Sequence, residues 1–252
     1  MSARDRTLAA LAGACALVVL ALIPARAQTP AVDDIVAKNL AAKGGVEKLR
    51  AVTSVRTAGR LKNARGSVAV TTWTKRPNWM RRETVADGQT QVIAFDGTTL
   101  WGINPVFSAK PEVITGPGAD RTRQDADDFD SVLLDYKEKG SKVELVPEDA
   151  AAKGAVHLRV TKKNGGVQDI FLNPSTFLED RVAMEIQQGG RKAVVATELS
   201  NYKEVDGMMV PFTIRQTFNG QLQGEVVYDR IQFNLPLGDE LFRMPQSSVV
   251  GR

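Results

Sequence analysis

The feature that most constrains the fold is a succession of short apolar segments that runs from Thr53 to about residue 233. The segments are rich in Val, Thr, Ile and Trp, which suit the half-buried surface of a β-sheet. Clusters of Gly, Asp, Asn and Pro separate them, and Asp96-Gly97 and Asn219-Gly220 are dipeptides of tight hairpin turns. The pattern predicts about a dozen antiparallel strands in a meander, with no long crossover.

The strand predictions cover most of the chain after residue 52. They fall near residues 53–60, 66–75, 79–86, 90–96, 99–104, 141–147, 155–163, 167–173, 178–187, 190–200, 208–217 and 221–233. No internal repeat and no domain linker stands out, so we expect one domain. The fold class is mainly β with helices (β+α).

Three helices are predicted, two near the start of the mature chain and one in its middle. Thr29-Pro30 is typical of a helix start, and an apolar stripe follows from Val32 to Leu40 until Gly44-Gly45 ends it. A short helix, Val46 to Ala51, comes next. A third helix is predicted over Gln124–Lys139, approached by the flexible-looking stretch Gly116–Gly118.

Two long helices can cover only part of so large a sheet. The third helix carries Phe129, Val132, Leu133 and Tyr136 at helical spacing, and Gly140 ends it. The helices either cover part of a strongly curved sheet or sit in the mouth of an incomplete barrel. Sheets of this size can leave an apolar interior for a ligand.

Residues 1–27 are typical of a cleavable secretory signal peptide, which leaves a mature domain of residues 28–252. Arg4 and Arg6 precede an apolar run of 16 residues, Leu8 to Ile23, and Ala25 and Ala27 provide the small residues of a cleavage site. The alternative is that this segment is retained as a membrane anchor, but a membrane-spanning helix requires about 20 apolar residues. A lipoprotein cleavage at Cys15, the only cysteine, would leave an apolar start to the mature chain.

Export would place the mature protein in the periplasm. Removal of residues 1–27 lowers the formal net charge from +4 to +2, which is too mild to argue for a nucleic-acid partner. The mature chain has no cysteine and therefore no disulfide.

The search for catalytic or metal-binding residues finds little, so we expect no enzyme, no cofactor and no metal. The single histidine, His157, lies in a strand pattern and is expected at the surface or half-buried. Asp125, Asp127, Asp128 and Asp130 lack the glycine and the closing glutamate of a calcium loop, and we expect them to favour the start of the third helix. An enzyme with an essential acid such as Asp96 or Asp128 is a third-ranked alternative.

Residues 73–82, WTKRPNWMRR, mix bulky apolar side chains with cations where a strand ends. One interpretation is an ordinary solvated strand end, because proline prevents further strand pairing. The other is the rim of a ligand site, in which Trp and Met contact an apolar ligand while Arg and Lys hold polar groups or a lid.

Two motifs in the same order resemble the LolA family of periplasmic carriers that sort outer-membrane lipoproteins. They are WTKRPN at residues 73–78 and DGTTLWGINP at residues 96–105; LFRMP at residues 241–245 resembles the family's closing strand more weakly. The resemblance implies an incomplete antiparallel β-barrel with a helical lid over an apolar cavity. It also implies that Arg76 holds the lid by hydrogen bonds to lid backbone, and that Trp79 or Met80 affects loading and release.

The resemblance further implies a monomeric carrier that binds acyl chains of lipoproteins or lipids. Its partners would be an inner-membrane donor complex and an outer-membrane acceptor. The expected ligand and lid residues are Arg76, Trp73, Trp79, Met80, Phe95, Trp101, Phe129 and Leu133. The chain is longer than typical carriers, and Asn201–Pro211 has no clear counterpart in the short members. The alternative function is an envelope stress sensor that binds lipid or misfolded protein.

Overall fold

A computed structural model of the protein describes residues 31–127, 129–147, 152–188 and 190–246. The expected signal peptide, the Thr29-Pro30 helix start and Asp128 lie outside these ranges. The described residues contain three α-helices: α1 (Val32–Ala42), α2 (Val46–Ala51) and α3 (Pro117–Asp127). Within this part of the chain, no helix has the length and apolar character needed to cross a bilayer.

Thirteen strands form one antiparallel sheet in the described residues. Their bounds are β1 Ser54–Asn63, β2 Gly66–Lys75, β3 Trp79–Ala86, β4 Gln89–Phe95, β5 Leu100–Asn104, β6 Ser108–Val113, β7 Lys142–Leu145, β8 Val156–Thr161, β9 Val167–Leu172, β10 Glu179–Gln188, β11 Arg191–Val205, β12 Met208–Phe218 and β13 Gln221–Phe233. A short 3₁₀ turn, Asp239–Leu241, follows the last strand. The predicted strands are all present.

The sheet consists of two meanders joined where β1 pairs with β13. The order is β6-β5-β4-β3-β2-β1-β13-β12-β11-β10-β9-β8-β7, and the two edges, β6 and β7, are not paired with each other, so the sheet is open. Tight turns set the register of the hairpins. At Asn219-Gly220, for example, both residues have positive φ (48° and 78°), as a type I′ turn requires.

The sheet is strongly curved. Ile93 of β4 and Ile186 of β10 line the same pocket, although their strands are seven positions apart in the sheet. In a flat sheet with a strand spacing of about 4.8 Å they would be about 34 Å apart. We call the face that carries these two residues the concave face and the opposite face the convex face.

Helices cover the two ends of the concave face. α1 packs Ile35, Val36 and Leu40 against β7–β10, in a core that also contains Leu133 and Leu134. At the other end, Ala119 of α3 packs on β4 and β5. The middle of the concave face, around β2, β3, β11 and β12, remains open, as expected if the helices cover only part of a curved sheet.

The C-terminal segment, residues 235–246, covers the convex face of the sheet at the β4–β5 end. Trp101 packs there with Val92 and Ala94, and Met244 contacts this cluster. The Trp101 indole N–H donates to the Phe242 carbonyl oxygen at 2.8 Å, and both side chains are fully buried. Residues 241–245, which resemble the family's closing strand, do not form a strand in this chain.

The prediction of a helix over Gln124–Lys139 is wrong. The helix begins at Pro117, directly after Gly116 with its positive φ, and ends at Asp127; residues 132–140 form successive turns. Asp135 has a φ of 54°, which no α-helix accommodates. Of the apolar residues at helical spacing, Leu133 is fully buried and Val132 and Tyr136 are half-buried in these turns. Asp125 and Asp127 lie at the end of a helix and not at its start.

The sequence pattern does not predict strand β6, because Pro111 lies within it. Proline is tolerated there since β6 is an edge strand, whose outer side needs no ladder hydrogen bonds.

Candidate functional site

A large pocket lies on the concave face, between the regions that α1 and α3 cover. It is a solvent-accessible pocket of about 620 Å³, within the range of ~300–1,000 Å³ usual for small-molecule sites. Its lining comes from β2, β3, β4, α3, the residues that follow α3, β10, β11 and β12: Thr72, Thr74, Trp79, Met80, Arg82, Ile93, Thr122, Ala126, Phe129, Ile186, Val195 and Gln216.

The pocket has apolar and polar walls. Ile93, Ala126, Phe129, Ile186 and Val195 supply apolar surface from strands on both sides of the opening and from the region of α3. The polar surface is contributed mainly by three hydroxyl side chains, one amide and one guanidinium: Thr72, Thr74, Thr122, Gln216 and Arg82. Such a lining suits a ligand that has both an apolar and a polar part.

The two arginines of the WMRR sequence point to opposite faces of the sheet. Alternation along β3 sends Arg82 into the pocket and Arg81 to the convex face, where it pairs with Glu83 and donates to the Leu241 carbonyl oxygen at 3.0 Å. Arg82 is exposed, and none of the described residues forms a hydrogen bond or ion pair with it. The pocket therefore contains one cationic group without a protein counter-ion in the described chain.

Tyr228 of β13 lies near Arg82. Burial raises the pKa of the Tyr228 hydroxyl, although a hydrogen bond with Thr57 and the positive charge of Arg82 both act in the opposite direction. The phenol is therefore neutral at physiological pH and keeps its proton as a hydrogen-bond donor.

Residues 114–141, which we call the connecting segment, run from one open edge of the sheet to the other, because β6 and β7 are consecutive in sequence but lie at opposite edges. Arg76, at the end of β2, holds the middle of this segment. Its guanidinium donates to both carboxylate oxygens of Asp130, at 2.7 and 2.6 Å, and its Nε donates to the Val52 carbonyl oxygen at 2.6 Å. It also lies 4.8 Å from the centre of the Phe129 ring.

Arg76 was expected to form hydrogen bonds to the backbone of the lid, but it contacts side chains of the connecting segment instead. Its backbone acceptors, Val52 and Arg50, lie at the α2–β1 junction, whereas its contact with the connecting segment is to the side chains of Asp130 and Phe129. A planar guanidinium fits a carboxylate with two parallel hydrogen bonds, so this contact has a defined geometry.

Two further contacts fasten the connecting segment to the helices. Arg50 of α2 pairs with Asp135, and its hydrogen bonds lower the pKa of that carboxyl group. Asp33 of α1 accepts hydrogen bonds from Lys137, at 2.6 Å, and from Tyr136; these two, in that order, lower its pKa. Both pairs are exposed, so each contributes little stability alone.

A smaller pocket of about 130 Å³ lies between the α1–α2 region, the connecting segment and the start of β12. Phe129 lines both pockets, and Asp130 lines this one. The hairpin of the sequence Asn201–Pro211 provides Met208, Met209 and Val210 to its wall. The sequence shows this hairpin only as a segment that the short family members lack. Its run of Met208, Met209 and Val210 is the one sequence feature that indicates apolar surface there.

Of the residues expected at the ligand site, Met80 and Phe129 line the larger pocket; Trp79 also borders it, but its ring packs against Phe242 under the C-terminal segment, with ring centres 5.6 Å apart. Phe95 is buried on the concave face in the cluster that contains Ala119 of α3. The other three aromatic or aliphatic candidates do not line the pocket. Trp73 alternates with the pocket residues Thr72 and Thr74 and so faces the convex side, Trp101 packs under the C-terminal segment, and Leu133 belongs to the α1 core.

His157 is not at this site and is more buried than expected. Its ring stacks on Phe171 on the convex face, with ring centres 4.3 Å apart, and its Nε2 lies 3.0 Å from Asp169. Burial opposes ionisation of Asp169, but hydrogen bonds from Arg159 and His157 outweigh it and lower the pKa of this carboxyl group. Among the described residues, no group of three or more His, Cys, Asp or Glu side chains is placed to hold a metal ion.

Solved structures with this fold include three of similar extent. An outer-membrane lipoprotein-sorting protein domain from Vibrio parahaemolyticus is 16% identical, with a TM-score of 0.52 over 83% of this chain and 94% of that chain. A LolA superfamily protein from Nitrosomonas europaea is 14% identical, with a TM-score of 0.52 over 85% and 98%. A DUF1329 family protein from Desulfovibrio piger is 14% identical, with a TM-score of 0.57 over 85% and 98%.

No protein-family model and no curated protein sequence matches the chain. The structural likeness, at these identities, concerns the fold. The fold is LolA-like, which confirms at that level the resemblance carried by the two sequence motifs.

Proposed function

From the LolA-like fold and the open pocket on its concave face, we propose that this protein is a periplasmic carrier that holds acyl chains of lipoproteins or lipids. The observation that supports this most is the pocket of about 620 Å³ between the regions covered by α1 and α3, with apolar walls and a polar edge. The protein at work would be the mature domain, residues 28–252, after export and removal of residues 1–27.

The affinity for a ligand would come from burial of its acyl chain. Each methylene taken out of water contributes about 0.8 kcal/mol. The apolar side chains of Met80, Ile93, Phe129, Ile186 and Val195 offer the surface for this burial. No bond is made or broken in such a function, so the protein would act as a carrier and not as an enzyme.

The connecting segment would be the lid. α3 and Phe129 border the pocket, and the Arg76–Asp130 pair fastens the segment beside Phe129. Breaking this pair would free Phe129 and widen access to the pocket. A ligand can shift the lid only by the difference in its affinity for the closed and open states, so lid contacts set how readily the ligand is released.

Loading and delivery would require two membrane partners. The carrier would receive its ligand from an inner-membrane donor complex and release it to an outer-membrane acceptor. Release requires a competing interaction, because the buried acyl chain does not leave into water unaided.

The proposal is tested by titrating the purified mature protein with a fluorescent acyl probe, such as a pyrene-labelled hexadecanoyl lipid. Saturable binding in one-to-one ratio, lost when Val195→Trp fills the pocket, supports it. Val194→Trp is the matched control, since Val194 is the adjacent residue of β11, is 45% exposed and faces the other side of the sheet. Absence of saturable binding in the unmodified protein contradicts the proposal.

A further inference from the structure

The distribution of charge around the pocket indicates which kind of amphiphile fits it. Acidic side chains of the neighbouring strands are engaged on the convex face. Glu83 pairs with Arg81 at 2.7 Å, Glu185 with Lys192 at 2.8 Å and Glu225 with Arg215 at 3.6 Å. Each of these glutamates alternates with a residue of the concave face, namely Arg82, Ile186 or Val226.

Because these glutamates form ion pairs on the convex face, Arg82 lies in the pocket without an acidic partner among the described residues. Thr72 of β2 is its partner across the strand pair, and both side chains line the pocket with Gln216. The described residues supply no hydrogen bond or ion pair to Arg82, and its planar guanidinium carries five N–H donors in a geometry that suits a carboxylate or phosphate. On the other neighbouring strand, β4, the residue opposite Arg82 is Ile93, which is part of the apolar wall of the pocket.

Resting on the proposed carrier function, we propose that the pocket selects an anionic amphiphile, with Arg82 holding the carboxylate or phosphate of its headgroup and the apolar wall holding its acyl chain. The hydroxyls of Thr72 and Thr74 and the amide of Gln216 add neutral donors to the same edge. Arg82 is exposed, so the headgroup lies at the mouth of the pocket and the chain lies within it.

Three probes with one pyrene-labelled hexadecyl chain separate the headgroup from the chain: the carboxylic acid, the phosphate monoester and the alcohol. We expect the unmodified protein to bind at least one anion about three- to tenfold more tightly than the alcohol, a preference of the size expected for a partly exposed charged pair. Which anion is preferred distinguishes a fatty acid from a phospholipid-like source. Added salt reduces the preference because the pair is screened.

The variant Arg82→Gln should weaken binding of the preferred anion about three- to tenfold more than binding of the alcohol, so that the preference disappears. Arg215→Gln is the matched control, since Arg215 pairs with Glu198 and Glu225 away from the pocket. Arg82→Lys should keep part of the preference. Circular dichroism of each variant checks its fold.

Two results overturn the inference while the carrier function stands: equal binding of all three probes by the unmodified protein, or an anion preference that Arg82→Gln leaves intact. Failure of every probe to bind, the alcohol included, overturns the carrier function itself and this inference with it.

Discussion

Arg76 and Asp130 form an ion pair with two parallel hydrogen bonds, of 2.7 and 2.6 Å, that joins the end of β2 to the segment connecting the two open edges of the sheet. The carboxylate of Asp130 is only 17% exposed and the guanidinium side chain of Arg76 34% exposed, so water screens this pair less than the other contacts of the segment. Asp130 follows Phe129, which lines both pockets. The pair therefore lies directly beside the side chain that the two pockets share.

A double-mutant cycle of Arg76→Gln and Asp130→Asn should show a coupling free energy of about 1–3 kcal/mol, since the contact is charge-assisted and partly buried. Urea unfolding gives the stabilities. Each single variant should also release a bound acyl probe faster than the unmodified protein in stopped-flow displacement. Arg50→Gln with Asp135→Asn is the control cycle, and its coupling should be smaller because Arg50 is 57% exposed. Equal coupling in the two cycles would argue against a special role for Arg76.

Acid should weaken the attachment of the connecting segment. The hydrogen bonds from Arg50 hold the pKa of Asp135 below its usual value in the folded protein. A depressed folded-state pKa contributes stability above the unfolded-state pKa of about 3.9, and this is lost as the pH falls through the folded-state value. Urea unfolding measured as the pH falls from about 6 to below the unfolded-state pKa of about 3.9 should therefore show a steeper loss of stability in the unmodified protein than in Asp135→Asn. Parallel curves for the two proteins would contradict the assignment.

The C-terminal segment should contribute substantially to stability. Phe242 is fully buried against the cluster containing Trp101, and Phe242→Ala should lower the free energy of unfolding by about 3–5 kcal/mol through lost burial and a cavity. Phe107→Ala is the control, since Phe107 is 86% exposed, and should change stability by less than about 0.5 kcal/mol. A small effect of the Phe242 substitution would mean that the segment is not held as the structure describes.

The signal-peptide prediction is tested by expressing the full chain in a Gram-negative host. The intact mass of the periplasmic product should correspond to a chain that begins at Gln28, since Ala25 and Ala27 suit the cleavage rule. Val18→Arg places a charge within the apolar run and should retain the chain in the cytoplasm with residues 1–27 attached. Export of that variant at the normal level would contradict the prediction.

The strands and their turns can be predicted because strand and turn signals are local. Alternating apolar residues and dipeptides such as Asn219-Gly220 specify hairpins without reference to distant residues. The helix prediction over residues 124–139 fails because the apolar spacing fits a helix as well as it fits consecutive buried turns. Asp135 combines a positive φ with an ion pair to Arg50, which lies 85 residues away in sequence, so the local pattern gives no sign of either.

The pocket can be predicted only in part. Met80 and Phe129 line it, whereas Trp73 and Trp101 lie on the convex face and the ring of Trp79 packs against Phe242. The sequence motif does not show which face of the curved sheet is concave. The same limit applies to Arg81 and Arg82, which the sequence presents as equivalent and the strand places on opposite faces. Asp130 as the partner of Arg76 lies 54 residues away in sequence, and no local pattern connects the two.

Native mass spectrometry of the mature protein purified from its own envelope tests the central claim most directly. We expect part of the protein to carry one bound lipid or lipidated polypeptide, and the adduct to be absent from Val195→Trp and retained in Val194→Trp. Protein that is always empty, together with no binding of acyl probes in solution, would contradict the claim that this fold carries acyl chains.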